Sequence, residues 1–217
     1  MSSLRVAIDA GGTFTDCVFV REGELQILKV LSTPGNPSRA IADAVEKVVD
    51  QQGGDNWQPL DLTCGTTVGT NALLERRGGR IALVTTAGFE DVIEIGRQAR
   101  PRLYDFFVRR PETLVPRDRR FGLRERVSVE GRALMRPSRA EIERILRLVR
   151  KSRADAVAVC LLFSFANSAH ERELSRKLRA AGLAVSASQE IFPEFREYER
   201  TATTVVNAYL LDRKSVV

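Results

Sequence analysis

The feature that most constrains the fold is a glycine pair set between two strand patterns near the amino terminus. Residues 4–8 alternate between apolar and more polar side chains, and after Gly11 and Gly12 the apolar run 17–20 resumes a strand pattern. A third apolar run, at residues 25–31, follows a short polar turn. Three short strands joined by tight turns predict an antiparallel meander at the start of the chain.

The next part of the chain alternates helix and strand patterns. Helical spacing covers residues 38–49 and 68–76, strand patterns cover 60–64 and 81–85, and a short helix is expected near 89–95. Three strands followed by helix, strand, helix, strand and helix predict an α/β fold. This is the ribonuclease-H-like order found in actin-like ATPases.

A second α/β unit is expected further along the chain. A helix over 138–151 begins with a capping box formed by Ser138 and Glu141. A buried strand is expected within 155–163, followed by a helix over 168–181 and a further strand, so this region predicts a pair of parallel strands. The predicted domains are a ribonuclease-H-like phosphate-loop subdomain (1–95), an Arg-rich excursion with a hairpin (96–137), the α/β unit (138–211) and a non-native tail (212–217).

The charge distribution argues against nucleic-acid binding. The net charge is +6, and residues 96–153 alone hold 18 Lys and Arg against 7 Asp and Glu. This basic segment has neither an aromatic stacking platform nor a zinc-finger pattern, which makes a nucleic-acid partner unlikely. An arginine-rich segment of this kind is better suited to a carboxylate or a phosphate near a cleft.

Cysteine and histidine usage excludes several kinds of site. Cys17, Cys64 and Cys160 are widely separated, each lies in an apolar strand-like run, and His170 is the single histidine, so a zinc site cannot be assembled from them. We expect the three thiols to be small core side chains and His170 to lie on the surface of a helix. No signal peptide or membrane span is recognisable, which predicts a cytoplasmic protein.

The segment Asp9-Ala-Gly-Gly-Thr-Phe-Thr-Asp16 carries the strongest chemical signal. It fits neither the Walker nor the dinucleotide-binding pattern. Paired glycines let backbone N–H groups approach an anion, and Thr13 and Thr15 add hydroxyl donors on either side. Asp9, at the end of a strand, is placed to hold Mg²⁺ beside bound phosphates. The alternative is a plain glycine hairpin with two capping threonines.

Several further motifs in the same order give a family resemblance that covers nearly the whole chain. They are Gly65-Thr-Thr-Val-Gly-Thr-Asn-Ala-Leu-Leu-Glu-Arg76, Leu83-Val-Thr-Thr-Ala-Gly-Phe-Glu-Asp91, Ile95-Gly-Arg-Gln98, Arg100-Pro-Arg-Leu-Tyr-Asp105, Leu114-Val-Pro116 and Phe195–Tyr209. With the Asp9–Asp16 segment, they resemble the N-terminal region of the hydantoinase A/5-oxoprolinase family. That family contains ATP-dependent cyclic-amide hydrolases and related acetone and acetophenone carboxylase subunits, on an actin-like ATPase fold.

The resemblance implies transfer of the ATP γ-phosphate to the carbonyl oxygen of a cyclic amide or ketone. It implies ATP and Mg²⁺ as cofactors and a hydantoinase-B-like subunit or fused domain as partner. The residues expected to bind the nucleotide are Asp9, which would also meet Mg²⁺, Gly11, Gly12, Thr13, Thr15, Asp16 bracing the turn, Thr66 and Thr67.

Other positions keep two interpretations. Thr66, Thr67 and Asn71 either contact the anion or substrate or cap a helix. Arg97 and Arg100 either meet a substrate carboxylate or lie on the solvated surface. The polar run 196–200 forms either a pocket wall or an amphipathic helix face. No catalytic residue is assigned.

The second lobe of an actin-like ATPase has no counterpart in these residues, and the last six residues depart from the family's continuation. We therefore expect a coding sequence cut near Leu211 and no cyclic-amide hydrolysis by the isolated chain. Three alternatives remain: an ATP-dependent ketone carboxylase subunit, a sugar-kinase-like ATPase and a non-catalytic subunit fragment.

Overall fold

A computed structural model describes residues 3–21, 23–33, 35–51, 59–98, 104 and 112–214, the last three as backbone only. The strands are β1 (Leu4–Ala10), β2 (Phe14–Arg21), β3 (Glu24–Leu31), β4 (Leu60–Thr66), β5 (Ile81–Thr86), β6 (Arg120–Leu123), β7 (Arg126–Val127), β8 (Ala133–Met135), β9 (Ala156–Cys160) and β10 (Ala184–Ala187). The helices are α1 (Pro37–Gln51), α2 (Val68–Leu74), α3 (Val92–Ile95), α4 (Arg139–Lys151), α5 (Ala169–Ala180), α6 (Ser188–Ile191) and α7 (Glu197–Lys214). None of these helices is long and apolar enough to cross a membrane.

The chain divides into two compact units. The first contains the residues up to Arg77 together with the chain from Arg213 onward, and the second is Gly78–Asp212. Each unit has its own sheet and its own hydrophobic core.

The first unit is built on a four-stranded sheet with the order β3-β2-β1-β4. The strands β1, β2 and β3 pair antiparallel, as the sequence predicts, and β4 pairs parallel to β1. Alternation along β1 buries Val6 and Ile8 on one face, where they meet Ala44 and Val48 of α1. Because β1 and β4 run in the same direction, their carboxyl ends meet at one edge of the sheet.

The second unit contains a parallel sheet with the order β10-β9-β5-β6. Both β5 and β9 are buried along their whole length, which is typical of parallel strands covered on both faces. Helices α4 and α5 contribute Ile145 and Leu174 to the core of this sheet. The predicted helix–strand–helix–strand unit is therefore present, and Ser138 caps α4 by accepting a hydrogen bond from the Glu141 N–H.

Two predicted boundaries differ from the structure. β5 was expected within a subdomain ending at residue 95, but it pairs with β9 and β6, so the division falls after Arg77. The Arg-rich excursion expected over 96–137 also differs. It contains β6, which belongs to the second sheet and contributes the buried Leu123. The first sheet agrees with a ribonuclease-H-like start as far as β4, and that assignment stays a prediction.

Two side chains lie in environments other than those expected. His170 is buried rather than on the surface, with Nδ1 2.8 Å from the Glu125 carboxylate. Cys64 is exposed rather than in the core, because β4 is the edge strand and is open on both faces. Cys17 and Cys160 are buried as expected.

Candidate phosphate-binding site in the first unit

The turn between β1 and β2 is tight enough to require glycine. The Gly11 N–H donates to the Phe14 carbonyl at 3.0 Å, and a Cβ on Gly11 would lie 2.7 Å from that same oxygen. A Cβ on Gly12 would lie 3.3 Å from Nδ2 of Asn71, so the α2 side chain closely approaches this glycine. The two glycines therefore leave room where side chains would otherwise stand.

Two backbone donors at this turn have no partner. Within the described part of the chain, neither the Gly12 N–H nor the Thr13 N–H donates a hydrogen bond, whereas the Thr13 carbonyl accepts one from the Ser32 N–H at 3.0 Å. Successive free N–H groups in a turn form a concavity suited to an anion. The Thr13 carbonyl thus anchors the turn to Ser32, while the Gly12 and Thr13 N–H groups are available to a ligand.

Residues at the carboxyl end of β4 lie beside this turn. The Thr67 N–H donates to the Ala10 carbonyl at 3.3 Å, and the Thr66 hydroxyl donates to the same oxygen at 3.4 Å. Asn71 Nδ2 donates to the Thr67 hydroxyl at 3.4 Å. The parallel strands β1 and β4 end side by side. This places Thr66, Thr67 and Asn71 next to the glycine pair. Thr67 itself makes no side-chain capping bond to α2, while the Thr66 hydroxyl accepts from the Val68 N–H.

A cavity of about 290 Å³ opens next to the turn and lies wholly within the first unit. Four residues predicted from the sequence line it: Gly11, Gly12, Thr15 and Asn71. The remaining lining residues are Ala10, Ser32, Thr33, Pro37, Val68, Ala72, Glu75 and Arg77. The cavity is close in size to the smaller ligand pockets of proteins.

Thr15 is fully buried on the pocket side of β2. Its hydroxyl lies 2.9 Å from the Ser32 hydroxyl, which follows β3. Ser32 belongs to none of the sequence motifs, and sequence reasoning missed it. Its position depends on the pairing of β2 with β3, which brings the residue after Leu31 next to the start of β2.

Asp9 and Asp16 lie on the other face of the sheet. Asp9 alternates with the pocket-lining Ala10, and it stands opposite Asp16 on β2 and Gly65 on β4. Asp16 forms an ion pair with Lys29 at 2.8 Å. Its expected role in bracing the turn stays a prediction. The Asp9 carboxylate is exposed and has no hydrogen-bond or ion-pair partner in the described ranges.

Few side chains that could bind a metal lie near Asp9 in the described part of the chain. Across the described residues there is no group of three or more His, Cys, Asp or Glu side chains that could hold a metal ion. A metal held by one carboxylate, by water and by ligand phosphates suits Mg²⁺, which usually keeps several waters in proteins. The residues present therefore fit Mg²⁺ carried by a phosphate ligand, and they do not form a metal cage.

Two arginines, Arg97 and Arg100, are expected from the sequence to meet the substrate. Arg97 is in the second unit, where its Nε donates to Glu199 at 2.6 Å, and its side chain is largely exposed. Arg100 lies outside the described residues. Another basic side chain of the second unit, Arg120, is buried and ion-paired with Asp91 and Glu94. The basic segment is thus partly neutralised within its own unit.

The polar run near the start of α7 includes a buried structural anchor. Arg200 is fully buried and donates to the Leu161 carbonyl at 2.8 Å, to Ser188 at 2.9 Å and to Glu197. Ser188 also donates to Glu171, whose carboxyl pKa is raised by burial. From the sequence, this run forms either a pocket wall or an amphipathic helix face. In the structure, Arg200 makes polar contacts that join α7 to the ends of β9 and β10.

Comparison with known proteins gives the same family as the motifs. A family model described as the hydantoinase/oxoprolinase N-terminal region matches residues 5–182. The chain is 36% identical over 215 residues to caprolactamase subunit alpha of Pseudomonas jessenii, covering 95% of this chain and 31% of that protein. It is also 36% identical over 224 residues to the acetophenone carboxylase gamma subunit of Aromatoleum aromaticum, covering 94% and 31%.

Solved structures agree with these similarities. The crystal structure of the ATP-dependent caprolactamase from Pseudomonas jessenii matches with a TM-score of 0.82 and 35% identity over 97% of this chain and 32% of that chain. A nucleotide-free acetone carboxylase matches with a TM-score of 0.86 and 25% identity over 98% and 33%. The chain spans about a third of the length of these relatives. On the extent of the family match, the chain belongs to the hydantoinase/oxoprolinase family, and it corresponds to the N-terminal region of its members.

Proposed function

We propose that the first unit binds the phosphate groups of Mg-ATP at the β1–β2 turn, as part of an enzyme that activates the carbonyl oxygen of a cyclic amide. The observation that carries this proposal is the pair of Gly12 and Thr13 N–H groups, which have no acceptor among the described residues and lie beside the carboxyl ends of β1 and β4. Such donors stabilise negative charge without rearranging when the ligand binds. The Asn71 carboxamide adds a neutral donor next to Gly12.

Magnesium would be held from the opposite side of the turn. Asp9 is the carboxylate nearest the end of β1, and its exposed position allows it to bind the metal through water. Gly65 stands beside it, where a Cβ would lie 3.9 Å from the Asp9 carboxylate oxygen. Thr13, Thr15, Thr66 and Thr67 complete the proposed nucleotide set, and Asp16, which is paired with Lys29, would brace the turn.

The bound nucleotide would supply a phosphoryl group for the amide oxygen, which makes the carbonyl carbon easier to attack. Such chemistry depends on positioning and charge neutralisation rather than on a protein nucleophile. The residues of this chain would orient the phosphates through backbone N–H groups and hydroxyls. The buried, carboxylate-paired His170 is not needed for that role.

We also propose a partner subunit and a cellular compartment for this enzyme. Two relatives are named as an alpha and a gamma subunit, which supports assembly with a further polypeptide, of the hydantoinase-B-like type, that supplies the rest of the active site. The free cysteines fit a reducing compartment, so we place the protein in the cytoplasm.

ATP-dependent ketone carboxylation is a second candidate function. It is supported by the similarity to the acetophenone carboxylase gamma subunit and to acetone carboxylase. The nucleotide site would be the same in both functions, because each needs a phosphorylated carbonyl oxygen. The two candidates therefore differ in the substrate and share the phosphate-binding turn.

Calorimetric titration of the purified chain with Mg-ATP tests the nucleotide site. We expect Asp9→Ala to weaken Mg-ATP binding by about tenfold or more, as for loss of a charge-assisted contact of about 1.5–3 kcal/mol. Asp61→Ala is the matched control, because Asp61 is an exposed carboxylate on the same face of the sheet, paired with Arg5. It should leave the affinity within about twofold. Equal affinities of wild type and Asp9→Ala would contradict the site assignment.

A further inference from the structure

One face of the first sheet stays exposed in the described part of the chain. Helix α1 packs against the face that holds Val6 and Ile8. The opposite face is formed by the alternate residues of each strand, and on β2 and β3 most of these residues are apolar. We call them the β2–β3 patch, and they are Phe14, Val18, Val20, Leu25, Ile27 and Leu31.

The register between β2 and β3 makes this patch continuous across the two strands. Its members stand opposite one another in three apolar pairs: Phe14 with Leu31, Val18 with Ile27 and Val20 with Leu25. Side chains that are directly opposite on one face lie close enough to pack together. Between the first two pairs stands the Asp16–Lys29 ion pair. The patch is therefore apolar, and the two charges within it neutralise each other.

The exposed area of the patch is large for a monomer. Five of its six side chains are 43–72% exposed, and Val18 is partly buried. These exposed fractions correspond to about 600 Å² of apolar surface, at the upper end of the range of about 300–600 Å² for the largest patch on a typical monomer. An antiparallel sheet face that meets water normally carries polar residues. The β2–β3 patch is therefore typical of an interaction surface.

The size and the charge of the patch fit a second copy of this chain. Two copies placed patch to patch would bury about 1,200 Å², which reaches the lower end of the range for specific protein–protein interfaces. Because Asp16 and Lys29 are paired, each copy brings no net charge against the patch of the other. Two sheets with apolar inner faces pack about 10 Å apart, as in β-sandwiches.

Polar side chains border the patch on the neighbouring strands. On the same face of the sheet, β1 carries Arg5 and Asp9, and β4 carries Asp61, which pairs with Arg5 at 3.7 Å. An apolar centre with a polar margin is the usual anatomy of a protein–protein interface. The contact between two copies would therefore centre on β2 and β3, with β1 and β4 at its margin.

We propose that the β2–β3 patch is a self-association surface, through which two copies of this chain pack face to face about a two-fold axis. In such a pairing the same residues of both copies form the contact, so every substitution acts twice. Ile27 and Val18 form the middle pair of the patch, away from the β1–β2 turn. Substitution of Ile27 therefore tests the contact without altering that turn.

The test is sedimentation velocity of the purified chain without nucleotide, over protein concentrations of about 1–200 μM, where a dimer of this interface size should form reversibly. Ile27→Lys should raise the dimer dissociation constant by at least about tenfold, because it places two unpaired charges in the contact. Ile27→Thr keeps a β-branched side chain in the strand and should raise it by about threefold or more. Leu134→Lys, at an equally exposed position on β8, is the matched control and should change it by less than about twofold. Circular dichroism monitors the fold of all three variants.

Each outcome supports or overturns the proposal. A dimer that both Ile27 variants weaken and Leu134→Lys does not supports it. A chain that stays monomeric at all concentrations overturns it, as does a dimer that neither Ile27 variant weakens. Larger assemblies in place of a dimer overturn the two-fold pairing. A different polypeptide that co-purifies with a monomeric chain, and is released by Ile27→Lys, assigns the patch to that partner and overturns self-association.

Discussion

Replacing Gly11 by alanine tests whether the β1–β2 turn depends on the absence of a side chain. The new Cβ would lie 2.7 Å from the Phe14 carbonyl oxygen, a backbone atom that cannot rotate away. That oxygen also accepts the 3.0 Å hydrogen bond from Gly11 that closes the turn. The substitution is therefore expected to push the two strand ends apart.

The cost follows from these two contacts. Overpacking at a site that cannot relax costs about 1–3 kcal/mol, and loss of the closing hydrogen bond adds about 1 kcal/mol. The free energy of unfolding should fall by about 2–4 kcal/mol. Because the Gly12 and Thr13 N–H groups are set by the same turn, Mg-ATP affinity should fall by at least about tenfold, which corresponds to 1.4 kcal/mol.

The assay combines urea unfolding, followed by circular dichroism, with calorimetric titration of Mg-ATP. Gly35→Ala is the matched control, because a Cβ at Gly35 meets nothing within 4 Å. It should change the free energy of unfolding by less than about 1 kcal/mol. If Gly11→Ala has the same unfolding midpoint and the same Mg-ATP affinity as Gly35→Ala, the steric account of this turn is refuted.

Three further predictions concern the surroundings of the site. Iodoacetamide at pH 8 should label the exposed Cys64, while Cys160, whose pKa burial raises to about 12, should stay unlabelled by mass spectrometry until urea is added. Hydrogen bonds from Arg80 lower the pKa of Asp155, so its ionised form stabilises the fold above about pH 4, and this stability is lost as the pH falls through the lowered value. The pair is half exposed, so Asp155→Asn should remove less than about 1 kcal/mol at pH 7 in urea unfolding, and the difference should shrink as the pH is lowered. Glu125→Ala leaves the buried His170 ring nitrogen without its partner and the Thr86 hydroxyl proton without an acceptor, and should cost about 3–5 kcal/mol in the same assay; an unchanged midpoint would contradict that role.

The sequence predicts the first unit well because its signals are local. Alternating apolar residues define β1 and β3, and the glycine pair fixes where β1 ends. Strands joined by tight turns pair with their neighbours, so the register that sets Asp9 opposite Asp16 follows from the turn. The conformation of the turn proposed to bind phosphate could therefore be predicted from a few consecutive residues.

The remaining features depend on partners distant in sequence. A helix beginning near Ser168 was predicted correctly, but the burial of His170 depends on Glu125, which is 45 residues earlier. The strand around Cys64 was also predicted, yet its exposure follows from the edge position of β4. Ser32 carries no motif signal, because its role arises from its contact with Thr15 across two strands.

The central claim is that the free N–H groups of the β1–β2 turn bind the phosphates of Mg-ATP. The most direct measurement is a two-dimensional ¹H–¹⁵N NMR titration of the isotope-labelled chain with Mg-ATP. The account predicts that the Gly12 and Thr13 amide signals shift on titration, that the Gly35 amide does not, and that Asp9→Ala weakens the response. Amide shifts confined to the second unit, or no shift at Gly12 and Thr13 at saturating Mg-ATP, would contradict it.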